Sequence, residues 1–465
     1  MVRVFRQYIA LRRIVFVIGE GVLIFLAVTL ASYLVMGNII AFEVLLITMW
    51  PKMILVSITT QLSLYFNDLY ELDISTSAID MALRLIQSIG ITSIVLSIVY
   101  FLWPDTNIGK WFFFTNLMFL LFFLVFWRFV YNQVLKKKLF VEKAIILGSG
   151  NLAKDILTEV SKRQDFSYNI HSLVVQDEDE FNDIDLKGIP VQYGFENISD
   201  FADPAIIDHL IVALDEKRGI FPYKKLLECK IKGINIIDGV SFYERITGKL
   251  LVERINPSWL IFSDGFIQSK ITKALKRVSD LLFSGLMLLL LSPFLLLTAI
   301  FIKIESNGPI LFAQERVGEY EKPFILYKFR SMKVGAEELT GPVWATEDDP
   351  RVTRIGRILR DLRIDEFPQL WNVFIGDMSF VGPRPEREFF VNDLAKKIPY
   401  YNDRFSVKPG VTGWAQIKYP YGASEEDALE KLKYDLYYMK NMSYLMDMIV
   451  FFHTAKVMLL GRGSR

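Results

Sequence analysis

The sequence predicts a membrane protein of three parts: an integral α-helical bundle, an α/β Rossmann-like middle domain, and an α/β C-terminal domain with a re-entrant membrane helix and interfacial helices. The 465 residues are 52% hydrophobic with a mean hydropathy of +0.31, which is too apolar for an ordinary soluble enzyme. Four long apolar runs begin the chain, and a glycine turn of the strand–turn–helix type follows them. We expect the three parts to occupy residues 1–138, 139–270 and 271–465.

Each of the four apolar runs is long enough to cross a bilayer, which takes roughly 20 mostly apolar residues. Basic residues precede the first run and follow the fourth, whereas the short loops at 37–41 and 104–110 contain a single basic residue, Lys110. Both ends of the bundle are therefore predicted to face the cytoplasm. Within the runs, we expect Glu20 to pair inside the bundle and Lys52 to reach the interface. The runs are 14–34, 44–65, 85–103 and 111–131, and the basic residues are Arg3, Arg6, Arg12, Arg13, Lys136, Lys137 and Lys138.

The middle domain is marked by a glycine turn. A buried-strand pattern at 143–147 leads into Gly148, Gly150 and an amphipathic helix pattern, as in a dinucleotide-binding unit. Asp177 stands at about the place of the acid that would hold a ribose. Since fold alone does not fix function, Gly148 and Gly150 are candidate cofactor-binding residues in a domain that we interpret as structural or regulatory. Further strands are predicted at 171–175, 210–214 and 234–237.

A fifth apolar run, 281–302, is long enough to span but has basic residues on both sides, which leaves its orientation open. Ser292 and Pro293 lie near its middle, where proline removes a backbone donor and predicts a bend. A bent helix over 278–303 that enters and leaves one leaflet keeps the polar region beyond it on the side of the middle domain. The alternative is an ordinary fifth span with a kink.

Four clusters of charged and glycine-containing motifs fill the chain beyond this run. They read QERVG followed by YKFRSM, DDPRVTRIGR, DEFPQLWNVFIGDMSFVGPRPE and KPGVTGWAQ. In this order they resemble the bacterial sugar transferase family, the polyprenyl-phosphate hexose-1-phosphate transferases that start exopolysaccharide and O-antigen assembly. The resemblance covers residues 271–460, and the four runs with the glycine turn resemble the larger, multi-domain members. It implies polyprenyl phosphate and a UDP-sugar as substrates, with UDP-glucose favoured and UDP-galactose and UDP-activated N-acetylated hexoses as alternatives.

The residues of these motifs also suit that chemistry directly. Asp365 can act as a nucleophile toward phosphorus, at the N-cap of a helix over 366–375 whose amides attract phosphate and which Gly376 is predicted to end. Two adjacent carboxylates facing a diphosphate call for a divalent cation, so Mg²⁺ is the expected cofactor and Glu366 its leading ligand. The alternative interpretation is that Asp365 and Glu366 are simply the acidic residues that commonly occur at the start of a helix.

Five cations are candidate phosphate ligands. Arg384 is held between two prolines and suits a fixed fork on phosphate, with a structural ion pair as its alternative. Lys328 and Arg330 are predicted to share one face of a strand, or to form a solvated basic strand. Arg351, Arg354 and Arg357 are predicted to form a helical stripe that faces substrate or anionic lipid. The candidates are Arg384, Lys328, Arg330, Arg316 and Arg357.

The remaining features limit the partners. With a net charge of about +1, the chain has no overall positive electrostatic field that would attract nucleic acid. Its single cysteine, Cys229, excludes a disulfide bond within the chain. Residues 444–460 are too polar to span but apolar enough to lie in the interface. A membrane-anchored NAD-dependent nucleotide-sugar dehydratase or epimerase is the rival function, but the chain contains no Tyr-x-x-x-Lys. We expect a homodimer in the bacterial inner membrane with its active site at the cytoplasmic face.

Overall fold

The computed structural model describes most of the chain. It divides into two compact units, Tyr8–Gly239 with the first three residues, and Val240–Arg465 with residues 4–7. The described residues are 2–4, 7–9, 11–36, 42–70, 78–109, 111–136, 141–162, 168–177, 188–215, 221–254, 265–266, 268–336, 349–419, 422 and 424–459. Arg6, Lys110, Lys137, Lys138, Asp348 and the predicted loop 37–41 lie outside them.

The four apolar runs of the first unit form four long helices, as predicted. Length and composition mark α1, α3 and α4 as able to cross a membrane. They do not mark α2 in its described part, where Lys52 and Gln61 lower the hydropathy. The helices are α1 (Leu11–Met36), α2 (Phe42–Phe66), α3 (Ala78–Leu102) and α4 (Phe112–Lys136), and the short strands β1 (Val2–Val4) and β2 (Gln7–Ile9) precede them.

Buried polar contacts hold this bundle together. Glu20 is fully buried and accepts a 2.8 Å hydrogen bond from Arg128, which confirms the predicted internal pairing. A buried charge is tolerated when it is paired in this way. Lys52 donates to the Asn107 carbonyl at 3.3 Å, at the end of the helix bundle where α3 turns toward α4.

The middle of the chain folds into a five-stranded parallel sheet of Rossmann order, β5-β4-β3-β6-β7, as the glycine turn predicts. The central strands of this sheet are fully buried apolar runs, as expected for strands that are covered on both faces. The four predicted strands are confirmed, and β5 was not predicted. The elements are β3 (Glu142–Leu147), α5 (Asn151–Lys162), β4 (Tyr168–Val175), β5 (Val191–Tyr193), α6 (Ile198–Phe201), β6 (His209–Val212), α7 (Tyr223–Ile231) and β7 (Asn235–Asp238).

The second unit opens with α8 (Gly239–Thr247) and the long helix α9 (Lys270–Glu305). Helix α9 has the length and hydropathy of a membrane span, and its backbone is assigned as helical through Ser292 and Pro293. Ser269 begins it by accepting a hydrogen bond from the amide of Thr272, an ordinary N-cap. The bend and re-entry of this helix stay predictions.

The rest of the second unit is a mixed α/β fold whose largest buried cluster includes Leu432, Leu436 and Tyr438 of α14. Two small sheets flank this core: an antiparallel hairpin of β8 with β9, and a parallel pair of β10 with β11. The elements are β8 (Leu311–Val317), β9 (Pro323–Phe329), α10 (Arg354–Asp361), α11 (Gln369–Ile375), β10 (Ser379–Val381), α12 (Glu388–Lys397), β11 (Gly410–Thr412), α13 (Trp414–Lys418), α14 (Glu425–Lys440) and α15 (Tyr444–Leu459).

Candidate active site

The adjacent carboxylates lie in a short 3-10 turn, Ile364–Glu366, rather than at the start of a helix. The prediction that Asp365 is the N-cap of a helix beginning at Glu366 is wrong, because α11 begins at Gln369. Arg363 enters the turn in the left-handed region, at φ +55°, and the Glu366 amide donates to the Arg363 carbonyl at 3.3 Å. This tight turn gives Asp365 no helical amide to cap.

Three motifs meet at the Glu366 carboxylate. Lys328 of β9 donates to Oε1 at 3.0 Å, and Arg384 of the Pro-Arg-Pro segment donates to the same oxygen at 3.2 Å. The Glu366 side chain is largely buried, so both ion pairs act in a medium that screens them weakly. Among the residues that the structure describes, none donates a hydrogen bond to the Asp365 carboxylate. One carboxylate is thus neutralised while its neighbour keeps its oxygens available.

The charges around this turn shift the pKa values of the two carboxylates in opposite directions. Burial and the negative charge of Glu366 raise the pKa of Asp365 to about 6, against the opposing effect of Lys328, Arg360 and Arg384. Burial would also raise the pKa of Glu366, but Lys328 and Arg384 outweigh it, so that pKa is lowered. The result is a comparatively basic carboxylate beside one whose negative charge is stabilised by two cations.

The backbone around Arg384 is held at successive carbonyl groups. Those of Pro383, Arg384 and Pro385 accept from the amide of Gly410 (2.9 Å), from Arg404 (3.2 Å) and from Arg316 (3.2 Å). Proline also fixes φ on each side of the arginine. The Arg384 side chain therefore extends toward Glu366 from a segment whose position is fixed by three separate parts of the fold.

Close glycine contacts join the VGPRP and KPGVTGWAQ motifs, whose strands β10 and β11 pair in parallel. A Cβ on Gly382 would lie 2.3 Å from the Lys408 carbonyl, and one on Gly413 would lie 2.2 Å from the Gly382 carbonyl. Side chains at these positions would push the two strands apart. The glycines are thus required for the approach that brings Gly410 to the Pro-Arg-Pro segment.

The end of α11 connects the turn Ile364–Glu366, the candidate catalytic turn, to the long helix α9. Gly376 ends α11 in the left-handed conformation, at φ +102°, which confirms its predicted stop role. Arg277 of α9 donates to the carbonyls of Val373 (2.7 Å) and Phe374 (2.8 Å), and Lys408 donates to that of Gly376 (2.6 Å). Cations at a helix C-terminus satisfy its last carbonyl groups and its dipole.

The structure places two of the other predicted cations in supporting contacts. Arg330 lies beyond the end of β9, so strand alternation does not put it beside Lys328. It is buried, and it donates to the carbonyls of Ser306 (2.9 Å) and Asn307 (3.1 Å) after α9. Arg316 contacts Pro385, as described above. Phosphate binding by Arg330 and Arg316 stays a prediction.

The arginine stripe is shorter than predicted. Thr353 caps α10, and Arg351 lies before the helix in a 2.6 Å ion pair with Asp349, so Arg351 is not part of the stripe. Arg354 and Arg357 lie on α10 and are exposed. Their binding to substrate or lipid stays a prediction.

Sequence reasoning missed two cations that act on the site. Arg404 is buried, pairs with Asp435 at 2.7 Å and holds the Arg384 carbonyl. Arg360 of α10 donates to the Ser331 hydroxyl at 2.9 Å and opposes the rise in the pKa of Asp365. The pattern of α10 indicated a basic helix, but no spacing pointed to the distant partners of Arg404.

The donor set suits a divalent cation shared with a substrate. No group of three or more His, Cys, Asp or Glu side chains that could enclose a metal occurs among the described residues. Asp365 and Glu366 nevertheless offer adjacent carboxylate oxygens beside Lys328 and Arg384. Mg²⁺ binds in this way, through one or two carboxylates together with substrate phosphates.

Comparison with known proteins places these motifs in families. A family model described as bacterial sugar transferase matches residues 271–461, and one described as CoA-binding domain matches residues 65–219. The exopolysaccharide production protein PSS of Rhizobium leguminosarum bv. phaseoli is 42% identical over 198 residues, which are 41% of this chain and 97% of that protein.

Two larger relatives match over part of their length. The UDP-N-acetylgalactosamine-undecaprenyl-phosphate N-acetylgalactosaminephosphotransferase of Aeromonas hydrophila is 40% identical over 240 residues, 52% of this chain and 56% of that protein. The UDP-glucose:undecaprenyl-phosphate glucose-1-phosphate transferase of Escherichia coli (strain K12) is 42% identical over 190 residues, 40% of each chain. This chain thus covers about half the length of these two relatives.

Proposed function

This chain belongs to the bacterial sugar transferase family, and from that premise we propose that it transfers a hexose 1-phosphate from a UDP-sugar to polyprenyl phosphate and releases UMP. The product would start an exopolysaccharide or O-antigen chain. The observation that carries the proposal is the Asp365 carboxylate, to which no described residue donates a hydrogen bond, beside the cluster of Glu366, Lys328 and Arg384.

In the first step, an Asp365 oxygen attacks the β-phosphorus of the UDP-sugar. The bond between that phosphorus and the bridging oxygen breaks, UMP leaves with the oxygen, and the hexose phosphate stays on the carboxylate. Lys328 and Arg384 lie beside the nucleophile, where they would offset the charge of the transferring phosphoryl group. Glu366 holds these two cations in place.

In the second step, a phosphate oxygen of the polyprenyl carrier attacks the same phosphorus. The acyl-phosphate bond breaks, Asp365 is restored as a carboxylate, and a polyprenyl diphosphate hexose leaves. Glu366 would hold Mg²⁺, which when bound supplies positive charge to the substrate phosphates. The raised pKa of Asp365 favours a basic nucleophile over an inert structural carboxylate.

We place the site at the cytoplasmic face of the inner membrane, with α9 re-entrant. Near the start of α9, Arg277 donates a hydrogen bond to the Val373 carbonyl of α11. Near the end of α9, Ile302 belongs to the same apolar cluster as Ile364 of the candidate catalytic turn. A helix that crossed the roughly 30 Å hydrocarbon core would put these two ends on opposite sides. Contact of both ends with one short stretch of chain, from Ile364 to Val373, supports their lying on one side.

The sugar is a separate part of the proposal. Resemblance to multi-domain members favours UDP-glucose, and the relatives named above include both a glucose and an N-acetylgalactosamine enzyme. Purified protein in lipid nanodiscs should be assayed with both UDP-sugars and polyprenyl phosphate, with label followed into the lipid.

The test of mechanism is intact-protein mass spectrometry after mixing with UDP-sugar, with the lipid omitted. We expect UMP release and a mass increase equal to one hexose phosphoryl group, which is hexose phosphate less one water. Asp365→Asn keeps the shape and loses the nucleophile, so it should abolish both. Asp361→Asn, an exposed carboxylate at the end of α10, is the matched control and should behave as wild type.

Direct attack by the lipid on the UDP-sugar is the competing mechanism. It forecasts no adduct and no UMP release without lipid. If wild type shows neither, and still turns over when lipid is added, the two-step proposal is wrong.

A further inference from the structure

We infer that the anion site of the Rossmann-like domain is closed by the domain's own Asp215, so that the diphosphate of a nucleotide cofactor does not bind there. This differs from what both the glycine turn and the match to a CoA-binding model would suggest, since CoA and the nicotinamide dinucleotides each carry a diphosphate.

Asp215 occupies the position that a diphosphate would take. It follows β6 by three residues, and β6 lies beside β3, which leads into the glycine turn. Its Oδ2 accepts from the Asn151 amide at 2.9 Å, and its Oδ1 accepts from the Leu152 amide at 3.3 Å. These are the first amides of the twelve-residue helix α5, the groups that bind pyrophosphate in a Rossmann unit.

The glycine pattern is explained by contacts within the chain. A Cβ built on Gly150 would lie 2.3 Å from Asp215 Oδ2, so this glycine admits the carboxylate. Gly148 has φ +121°, and its Cβ would lie 2.5 Å from the Ala213 carbonyl, so it serves the approach of two neighbouring strands. Neither glycine requires a nucleotide.

A diphosphate would meet two obstacles at this helix start. It would have to displace a carboxylate that already satisfies two amides, and an undisplaced carboxylate would repel it. Asp177, which follows the neighbouring strand β4, lies where a ribose-binding acid would be expected. A contact to the ribose alone, however, would not be enough to bind a dinucleotide. The domain therefore has the fold of a nucleotide-binding unit, but its phosphate-binding position is occupied by the Asp215 carboxylate of the same chain.

The first test is a double-mutant cycle on the full-length protein in nanodiscs, followed by thermal unfolding. Gly150→Ala should lower the midpoint in the wild-type background because its methyl group meets the Asp215 carboxylate. In an Asp215→Ala background the same change should have a much smaller effect. An equal effect of Gly150→Ala in both backgrounds would overturn the inference.

The second test measures binding of NADH and CoA, with saturating UMP present to fill the transferase site. Wild type should show no saturable binding up to the highest ligand concentration used, and Asp215→Ala should bind at least one of the two ligands with a Kd about tenfold or more below that concentration. Asp215→Asn keeps an acceptor for the amides and should fall between them. Saturable binding to wild type that Asp215→Ala weakens or leaves unchanged would show that the site is open, and would overturn the inference.

Discussion

The ammonium group of Lys328 donates a 3.0 Å hydrogen bond to Oε1 of Glu366. This contact joins the hairpin of β8 and β9 to the turn that carries Asp365. Both side chains are largely shielded from solvent, so the pair resists screening by salt. The hairpin thereby contributes a cation at a fixed place beside the proposed nucleophile.

Replacing Lys328 should therefore impair the first chemical step. Lys328→Met leaves Glu366 with Arg384 as its remaining strong partner and removes a cation from the phosphoryl group. We expect UMP release without lipid to slow by about 100-fold or more, which corresponds to roughly 3 kcal/mol. Stopped-time assays of UMP release would measure it.

Two further variants separate charge from geometry at this position. Lys328→Arg keeps the charge and should recover part of the rate. Lys322→Met removes an exposed lysine just before β9 and should leave the rate unchanged. A wild-type rate in Lys328→Met would remove this lysine from the mechanism.

Much of this architecture could be predicted from the sequence because it depends on local patterns. Apolar runs predicted the membrane helices, buried runs predicted four of the five sheet strands, and Gly376 predicted a helix end. The Lys328–Glu366 contact joins two of the motifs recognised in the sequence, but their spacing of 38 residues carries no geometric information.

The details that sequence could not give depend on tertiary contacts. The left-handed Arg363 changed a predicted helix start into a 3-10 turn, and such a conformation has no clear signal in a non-glycine residue. Asp215 lies 64 residues from Asn151, so its position in the glycine turn emerged only when β6 and β3 paired. Propensity and spacing describe neither event.

The buried pair of Arg404 and Asp435 should be important for both stability and activity. Arg404→Met leaves Asp435 buried without its 2.7 Å partner, which should destabilise the protein by about 3–5 kcal/mol. It also frees the Arg384 carbonyl, so turnover should fall. Thermal unfolding and lipid-product assays would follow the two effects.

A double variant distinguishes these two roles of Arg404. Arg404→Met with Asp435→Leu removes both members of the buried pair and should regain most of the lost stability. The Arg384 carbonyl stays unheld, so activity should stay low. Recovery of activity together with stability would mean that Arg404 does not position Arg384.

A homodimer is expected to form through the Rossmann-like domain. Tyr223, Leu227 and Ile231 form an exposed apolar stripe on α7, four residues apart. A two-fold contact can pair such a stripe with itself. Native mass measurement in lipid particles should give a dimer for wild type and a monomer for Leu227→Lys with Ile231→Lys. Wild type that is monomeric at all concentrations would contradict the expectation.

The topology of α9 can be tested by labelling single cysteines from each side of the membrane, in a Cys229→Ala background because that buried thiol is the natural one. Lys273→Cys and Lys303→Cys mark exposed positions near the two ends of the helix. If α9 is re-entrant, a membrane-impermeant maleimide added outside spheroplasts should label neither, and should label both after lysis. Asp105→Cys, in the turn between α3 and α4 that is predicted to face outside, should react in intact spheroplasts and is the positive control. Labelling of position 303 but not 273 in intact spheroplasts would show that α9 crosses the membrane, and the catalytic turn could not then lie at the cytoplasmic face.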